Sequence, residues 1–412
     1  MSASSGTREA PGRRIKWREF LGYGLVAGSI WLSWEIVKAP FLQRAPAALA
    51  LRLAPGSPEV ARRAAEEALI ADNVEGAKKL ADRSLLAAPF NARALRVRGL
   101  AEARAGHIDS ADQMLTLAGN WSLRDDPAHA WLVEHRLRVG NYTSSFAHAD
   151  TLARRRSDLH PQLFDLFTTA AIADPAALKA LLGTLASDSP WRLPYIDYLN
   201  ARTDADALTL ALGTALNRSA RPLTDYESGQ IYRAWVAEGR FDAIRALAAS
   251  RTGRPLPLIA NGDFSEALTP ETLPLGWNLR AGPGVMTQIV PGDEAGRQAL
   301  MAHYSGYARA SLAEQLLLLA PGRYRLFTDH LVDTAVEDTH LVWKLRCAAT
   351  GKELVELPLP GGAADERSTA RAAFVAPEGC NAQWLSLETT ARDRRRATGV
   401  TIFRVSISRE PS

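Results

Sequence analysis

The sequence predicts a multidomain chain, α then β: an N-terminal transmembrane helix, an α-helical solenoid and a C-terminal antiparallel β-sandwich. Three observations carry that expectation. Residues 20–37 form an 18-residue, almost unbroken apolar run behind a basic segment. From Ser57 the chain is rich in Ala, Leu, Arg and Glu, which have high helix propensity. Beyond Arg254-Pro255-Leu256-Pro257 the pattern shifts to period-two strands separated by Gly and Pro turns. The segments that follow are a cytoplasmic basic stretch over 1–19, an anchor over 20–37, a helical repeat domain over 57–250 and a sandwich over 255–412.

The apolar run is at the short end for a bilayer span. Upstream stand Arg8, Arg13, Arg14, Lys16 and Arg18 against Glu9 and Glu19, and the nearest basic residues downstream are Lys38 and Arg44. That asymmetry keeps the N-terminus in the cytoplasm and sends the rest across. Trp17, Trp31, Trp34 and Phe41 lie near the two ends, where aromatic rings favour the headgroup zone. The rival reading is a cleaved secretory signal. Its small-residue pattern, Ala48-Leu49-Ala50, lies far downstream, and Ala45 is followed by Pro46. Both readings export the bulk of the chain, to the periplasmic side of a bacterial inner membrane.

The 412 residues leave room for two or three domains, and 47% hydrophobic with 23% charged residues is ordinary for globular protein. Much of the net charge of +4 sits in the basic N-terminal segment, so it speaks to topology. The runs Arg154-Arg155-Arg156 and Arg394-Arg395-Arg396 are short and read as solvated helix ends or loops. Nucleic acid is therefore not an expected partner. Cys347 and Cys380 are the two cysteines, open to two readings: a disulfide in an oxidising compartment, or two separate buried thiols.

In the helical region, Ser57-Pro58-Glu59, Asp126-Pro127 and Asp174-Pro175 each set a cap residue before a Pro at the first helical position. Shifting the chain by 34 residues lays Ala65 on Gly99, Ala77 on Ala111, Ala81 on Leu115 and Ser84 on Ala118. A second shift lays Gly106 on Gly140, Ala111 on Ser145 and Leu115 on Ala149. Over about residues 58–158 this resembles the tetratricopeptide repeat, with small residues where paired helices approach and Gly at the turn between them. It departs from that pattern at Ala61 and Leu95, where the signature aromatic would stand, and at Arg98 and Glu102, which the pattern makes apolar. A generic antiparallel bundle is the alternative. A further helix pair is expected over about 224–249, with Gly239 at its turn. The resemblance implies a concave face for a protein partner. Trp121, Trp131 and Phe146 are candidates for lining it, at spacings that suit a core equally well.

In the C-terminal region, Leu341, Trp343, Leu345 and Cys347 alternate with polar or opposite-face residues, as do Phe403, Val405 and Ile407. Asn261-Gly262-Asp263-Phe264 with Gly276-Trp277, then Pro321-Gly322-Arg323-Tyr324, then Ala373-Phe374-Val375-Ala376-Pro377, resemble the jelly-roll carbohydrate-binding modules of the galactose-binding-like group. The resemblance implies a glycan ligand. It departs from the family in the last strand, where Phe403 and Arg404 replace two acidic residues, one of which often serves a structural calcium. No metal or cofactor is therefore expected. Sugar stacking needs exposed aromatic rings. Trp384 shares parity with Ser386 and Glu388, and Tyr304 and Tyr307 fall in a polar stretch, so these three are the glycan-binding candidates. Trp277 and Trp343 are expected in the core.

Asp329-His330 and Asp338-x-His340 converge on a metal only if the turn between them is tight; a solvated hairpin tip is the other reading. The chain carries no GxSxG, HExxH, P-loop or paired CxxC. The expectation is a non-catalytic, membrane-anchored periplasmic scaffold, an accessory factor in assembling or exporting cell-surface polysaccharide. The alternatives are a protein–protein scaffold that binds no sugar, and a glycan-processing enzyme whose paired carboxylates meet only in space.

Overall fold

The computed structural model describes residues 17–293, 297–305, 310–333, 335–364, 366–390 and 397–411. The basic residues before Trp17, the glycan candidate Tyr307 and the arginines 394–396 lie outside the described residues. Helices come first and a two-sheet sandwich follows, as the sequence predicts. The chain divides into two compact units, Met1–Gly140 and Asn141–Ser412.

In the first unit, α1 (Trp17–Arg44) is longer than the apolar run at both ends. Its stretch Gly22–Arg44 is long and apolar enough to cross a membrane. The two short following helices, α2 (Ala47–Leu53) and α3 (Pro58–Ile70), close on its end through Leu42, Ala45, Ala50 and Val60. The guanidinium of Arg63 donates to the carbonyls of Leu42 and Ala45, which α1 leaves without helical partners. Then come α4 (Val74–Ala87), α5 (Ala92–Arg104), α6 (Ile108–Trp121) and α7 (Asp126–Arg138).

The starts of α3, α5 and α7 fall 34 residues apart, and so do those of α4 and α6. Ser57, Asn91 and Asp125 cap the first set, each accepting the backbone N–H of the third helical residue (Val60, Ala94 and Ala128). Small side chains bring the helices together: Ala65, Ala77, Ala81 and Ala101 are fully buried, as are Ala111 and Ala118. A methyl group on Gly99 would lie 2.8 Å from Leu115 Cγ, so α5 and α6 approach closely at that glycine.

Arg98 and Glu102, which depart from the repeat pattern, belong to one charge cluster. Glu102 is buried and bonded to Arg98, to His107 Nδ1 at 2.6 Å and to Lys78 Nζ at 3.4 Å. Arg98 also reaches Asp82 at 2.9 Å. These contacts hold the Glu102 carboxyl down at about 2, with the Arg98 bond the largest cause. Arg96 ties neighbouring pairs together by bonding Glu66 of α3 and the α7 cap Asp125.

The second unit opens with α8 (Tyr142–Ala153), α9 (His160–Ala173), α10 (Pro175–Leu185), α11 (Arg192–Asn200) and α12 (Asp206–Leu216). Phe146, Phe164, Phe167, Trp191 and Tyr195 form its aromatic core, with Phe146 and Phe167 edge to face at 5.0 Å. The last pair is α13 (Asp225–Ala237) and α14 (Phe241–Thr252), separated by Gly239 at φ 72°. A Thr224–Glu227 capping box starts α13. This pair packs on the sandwich. A methyl on Gly229 would meet the Glu271 carbonyl at 2.6 Å, and Arg245 Nη2 donates to Asn381 O at 2.9 Å.

The sandwich strands are β1 (Asn278–Leu279), β2 (Val285–Pro291), β3 (Gln298–Tyr304), β4 (Ser311–Leu317), β5 (Gly322–Val332), β6 (Val336–Cys347), β7 (Glu353–Gly362), β8 (Arg367–Ala376), β9 (Gln383–Thr389) and β10 (Thr398–Arg409). They form two antiparallel sheets, ordered β1-β4-β9-β6-β7 and β2-β3-β10-β5-β8. Leu341, Trp343 and Leu345 of one sheet and Leu326, Ile402 and Val405 of the other belong to the shared core. Cys347 and Cys380 are joined by a disulfide across a sequence separation of 33, with Cα atoms 5.6 Å apart.

Candidate functional site

The motif Asn261-Gly262-Asp263-Phe264 builds one wall of a polar cavity on the β10 sheet. Gly262 lies against β10, where its carbonyl accepts from Val405 N at 2.8 Å. A methyl there would sit 2.2 Å from Val405 O, so only glycine fits. Phe264 is buried against Trp277, and the Trp277 indole N–H donates to Asn261 O at 3.0 Å. The motif therefore fixes the turn that carries Asp263. Its Oδ1 accepts from Ser265 Oγ at 2.9 Å, which holds the carboxyl below the usual carboxylate range, helped by the charge of Arg404.

The cavity measures about 270 Å³ and is lined by Asp263, Ser265, Asp293, Arg297, Gln298, Asp329, Arg367, Phe403 and Arg404. The register of β10 against β5 shifts between Ile402 and Arg404, a bulge that re-aims Phe403 and Arg404. Asp329 pairs across the strands with Arg404. Arg367, at the start of β8, clamps Asp329 with two bonds, Nε to Oδ1 at 3.0 Å and Nη2 to Oδ2 at 2.7 Å, and also bonds Asp293. Its guanidinium carbon stands 4.3 Å over the Phe403 ring. The Arg404 side chain is exposed and donates no hydrogen bond to the described residues.

The calcium implied by the family resemblance does not fit this residue set. Arg404 brings positive charge where an acidic ligand would stand, and Arg367 already neutralises Asp293 and Asp329. Nor do the Asp329-His330 neighbours converge on a metal. Asp329 faces the cavity, while His330 is fully buried, with Nε2 on Pro360 O at 3.1 Å.

The other sheet presents Trp384 outward and half-buried, beside the Arg346–Glu388 pair. Arg346 Nη2 meets Glu388 Oε2 at 2.8 Å, and Ser386 Oγ donates to Glu388 Oε1 at 2.7 Å. The guanidinium holds the Glu388 carboxyl below its ordinary range. Lys344 bridges Glu356 and Glu353, which raises its ammonium above the usual lysine value.

Two sequence candidates are corrected. Tyr304 is only 4% exposed and packs in the core between the sheets, so its ring is closed to a sugar face. Phe146 is likewise buried, in the aromatic core of its helices. Trp121 is 42% exposed and touches the exposed Phe90, with ring centroids 5.6 Å apart. Trp131 is half-buried and stacks on His135 at 4.7 Å.

No protein-family model matches the chain, and no curated protein matches it in sequence. Solved structures offer partial likenesses. A family-61 carbohydrate-binding module, TmCBM61, in complex with beta-1,4-galactotriose is 16% identical, over 38% of this chain and 99% of that one, with a TM-score of 0.27. The carbohydrate-binding module CBM6cm-2 of Cellvibrio mixtus lichenase 5A, in complex with cellotriose, is 10% identical over 34% of this chain and 100% of that one, with a TM-score of 0.23. The Cut9-Hcn1 hetero-tetramer of the APC/C is 14% identical over 54% of this chain and 42% of that one, with a TM-score of 0.26. Scores of this size assign no ligand or partner to the present chain.

Proposed function

We propose that the chain is a non-catalytic binding protein, held at a bacterial inner membrane by α1 with its bulk in the periplasm, whose sandwich binds a glycan. The polar cavity carries this reading. It sets carboxylate acceptors and guanidinium and amide donors around a space of about 270 Å³, the mixture that sugar hydroxyls require. The equal spacing of helix starts supports a tetratricopeptide-like stack, whose exposed Phe90 and Trp121 suit a protein partner. Together these suggest an accessory role in assembling or exporting surface polysaccharide. The test is affinity electrophoresis of the detergent-solubilised full chain through gels containing bacterial surface polysaccharides. Retardation that Asp329→Asn weakens supports the proposal. Mobility unchanged in every polymer would remove the glycan and leave a protein scaffold.

A further inference from the structure

Three carboxylates and three guanidinium groups line the cavity, so its formal charge is balanced before any ligand enters. Their roles differ. Arg367 is committed to Asp293 and Asp329 and is stacked on Phe403. The Asp263 carboxylate is engaged by its own turn through Ser265. Arg297 is exposed here too and is already engaged. Arg404 is exposed at the cavity and acts on Asp263 by charge, while its fork donates no hydrogen bond to a described residue. A guanidinium fork matches a planar carboxylate in bidentate fashion. A dianion would meet the surrounding aspartates, and a neutral sugar would leave the paired donors of the Arg404 fork without a planar acceptor.

We infer, building on the glycan reading above, that the cavity selects a uronic acid residue of an acidic polysaccharide. Arg404 receives the sugar carboxylate, and Asp329 and Gln298 meet the ring hydroxyls. The selection needs no divalent cation, because Arg367 already occupies the carboxylates that would hold one.

The test is calorimetric titration of the detergent-solubilised full chain with oligogalacturonate and with the same oligomers after carboxyl reduction to neutral galactose units. The expected result is binding of the acidic form at least tenfold tighter than the reduced form, unaffected by EDTA. Arg404→Gln should erase that preference by weakening acidic binding tenfold or more. Arg371→Gln, an exposed arginine on β8 outside the cavity, should leave it intact. Unchanged circular-dichroism melting would show that both variants fold. Equal binding of acidic and neutral forms would overturn the inference while leaving the glycan reading standing. Equal losses in the two arginine variants, or binding abolished by EDTA, would overturn it too. Binding of neither form, with polysaccharides also failing to retard the chain, would take down both.

Discussion

A single backbone angle separates the turns of the helical region. Gly106 lies at φ 84°, between α5 and α6, and Gly140 at φ 74°, just after α7. The matching position 34 residues before Gly106 is Asp72, at φ 60°. Left-handed backbone strains any residue with a Cβ, and aspartate tolerates it only in part. Asp72→Gly should therefore raise stability by about 0.5–1 kcal/mol, and Gly106→Ala should lower it by about 1–2 kcal/mol. Urea unfolding followed by circular dichroism reads both, and a destabilised Asp72→Gly protein would contradict the strain. Glu102 offers a second residue-scale test. Its folded carboxyl titrates at about 2, below the ordinary unfolded value of about 4.3. A depressed pKa contributes stability above the unfolded value and loses it as pH falls toward the folded one. The melting temperature should thus drop between about pH 5 and pH 2, and Glu102→Gln should flatten that drop while lowering stability at pH 7. A wild-type slope identical to the variant's would exclude Glu102 as the group responsible.

At the scale of elements, Gly99 sets how closely α5 and α6 pack. Gly99→Ala would place its methyl 2.8 Å from Leu115 Cγ, inside van der Waals contact. A loss of about 1–3 kcal/mol is expected, and a Gly99→Ala, Leu115→Ala double variant should lose less than the sum of the two single losses. Strict additivity would show that the two positions do not meet. Such elements were legible in the sequence because their signals are local: cap residues, a turn glycine, alternation along a strand. The charge cluster around Glu102 was legible only in part: Arg98 is its i,i+4 partner on α5 and His107 follows five residues on, but Lys78 reaches it from α4, and Arg98 and Glu102 read first as breaks in an apolar pattern. The cavity was hidden more fully. Asp263, Asp293, Asp329, Arg367 and Arg404 come from separate segments of the sandwich, all of residue types common on surfaces. The one local hint was Phe403-Arg404 in place of acidic residues. Tyr304 misled because a polar neighbourhood in sequence, His303 and Ser305, flanks a ring that strand alternation turns inward.

At the scale of the whole molecule, the apolar helix and the disulfide make linked claims about where the chain works. A disulfide persists in an exported protein and is reduced in the cytoplasm. The export proposed for α1 predicts that Cys347 and Cys380 are closed to alkylating reagents in acid-quenched cells producing the full chain. A version lacking residues 1–38, which spares the Leu42–Val60 cluster at the end of α1, should leave the membrane fraction and expose both thiols. Closing a loop of 33 residues restricts the unfolded chain, worth about 3–4 kcal/mol in the chain-entropy model. The shortened protein, purified with its cysteines reduced, should unfold at correspondingly lower denaturant and recover when oxidised. Thiols that stay open in the full chain would place its bulk on the cytoplasmic side of the membrane. That outcome would leave the sandwich out of reach of surface glycan and turn attention to a cytoplasmic ligand for the Arg404 cavity.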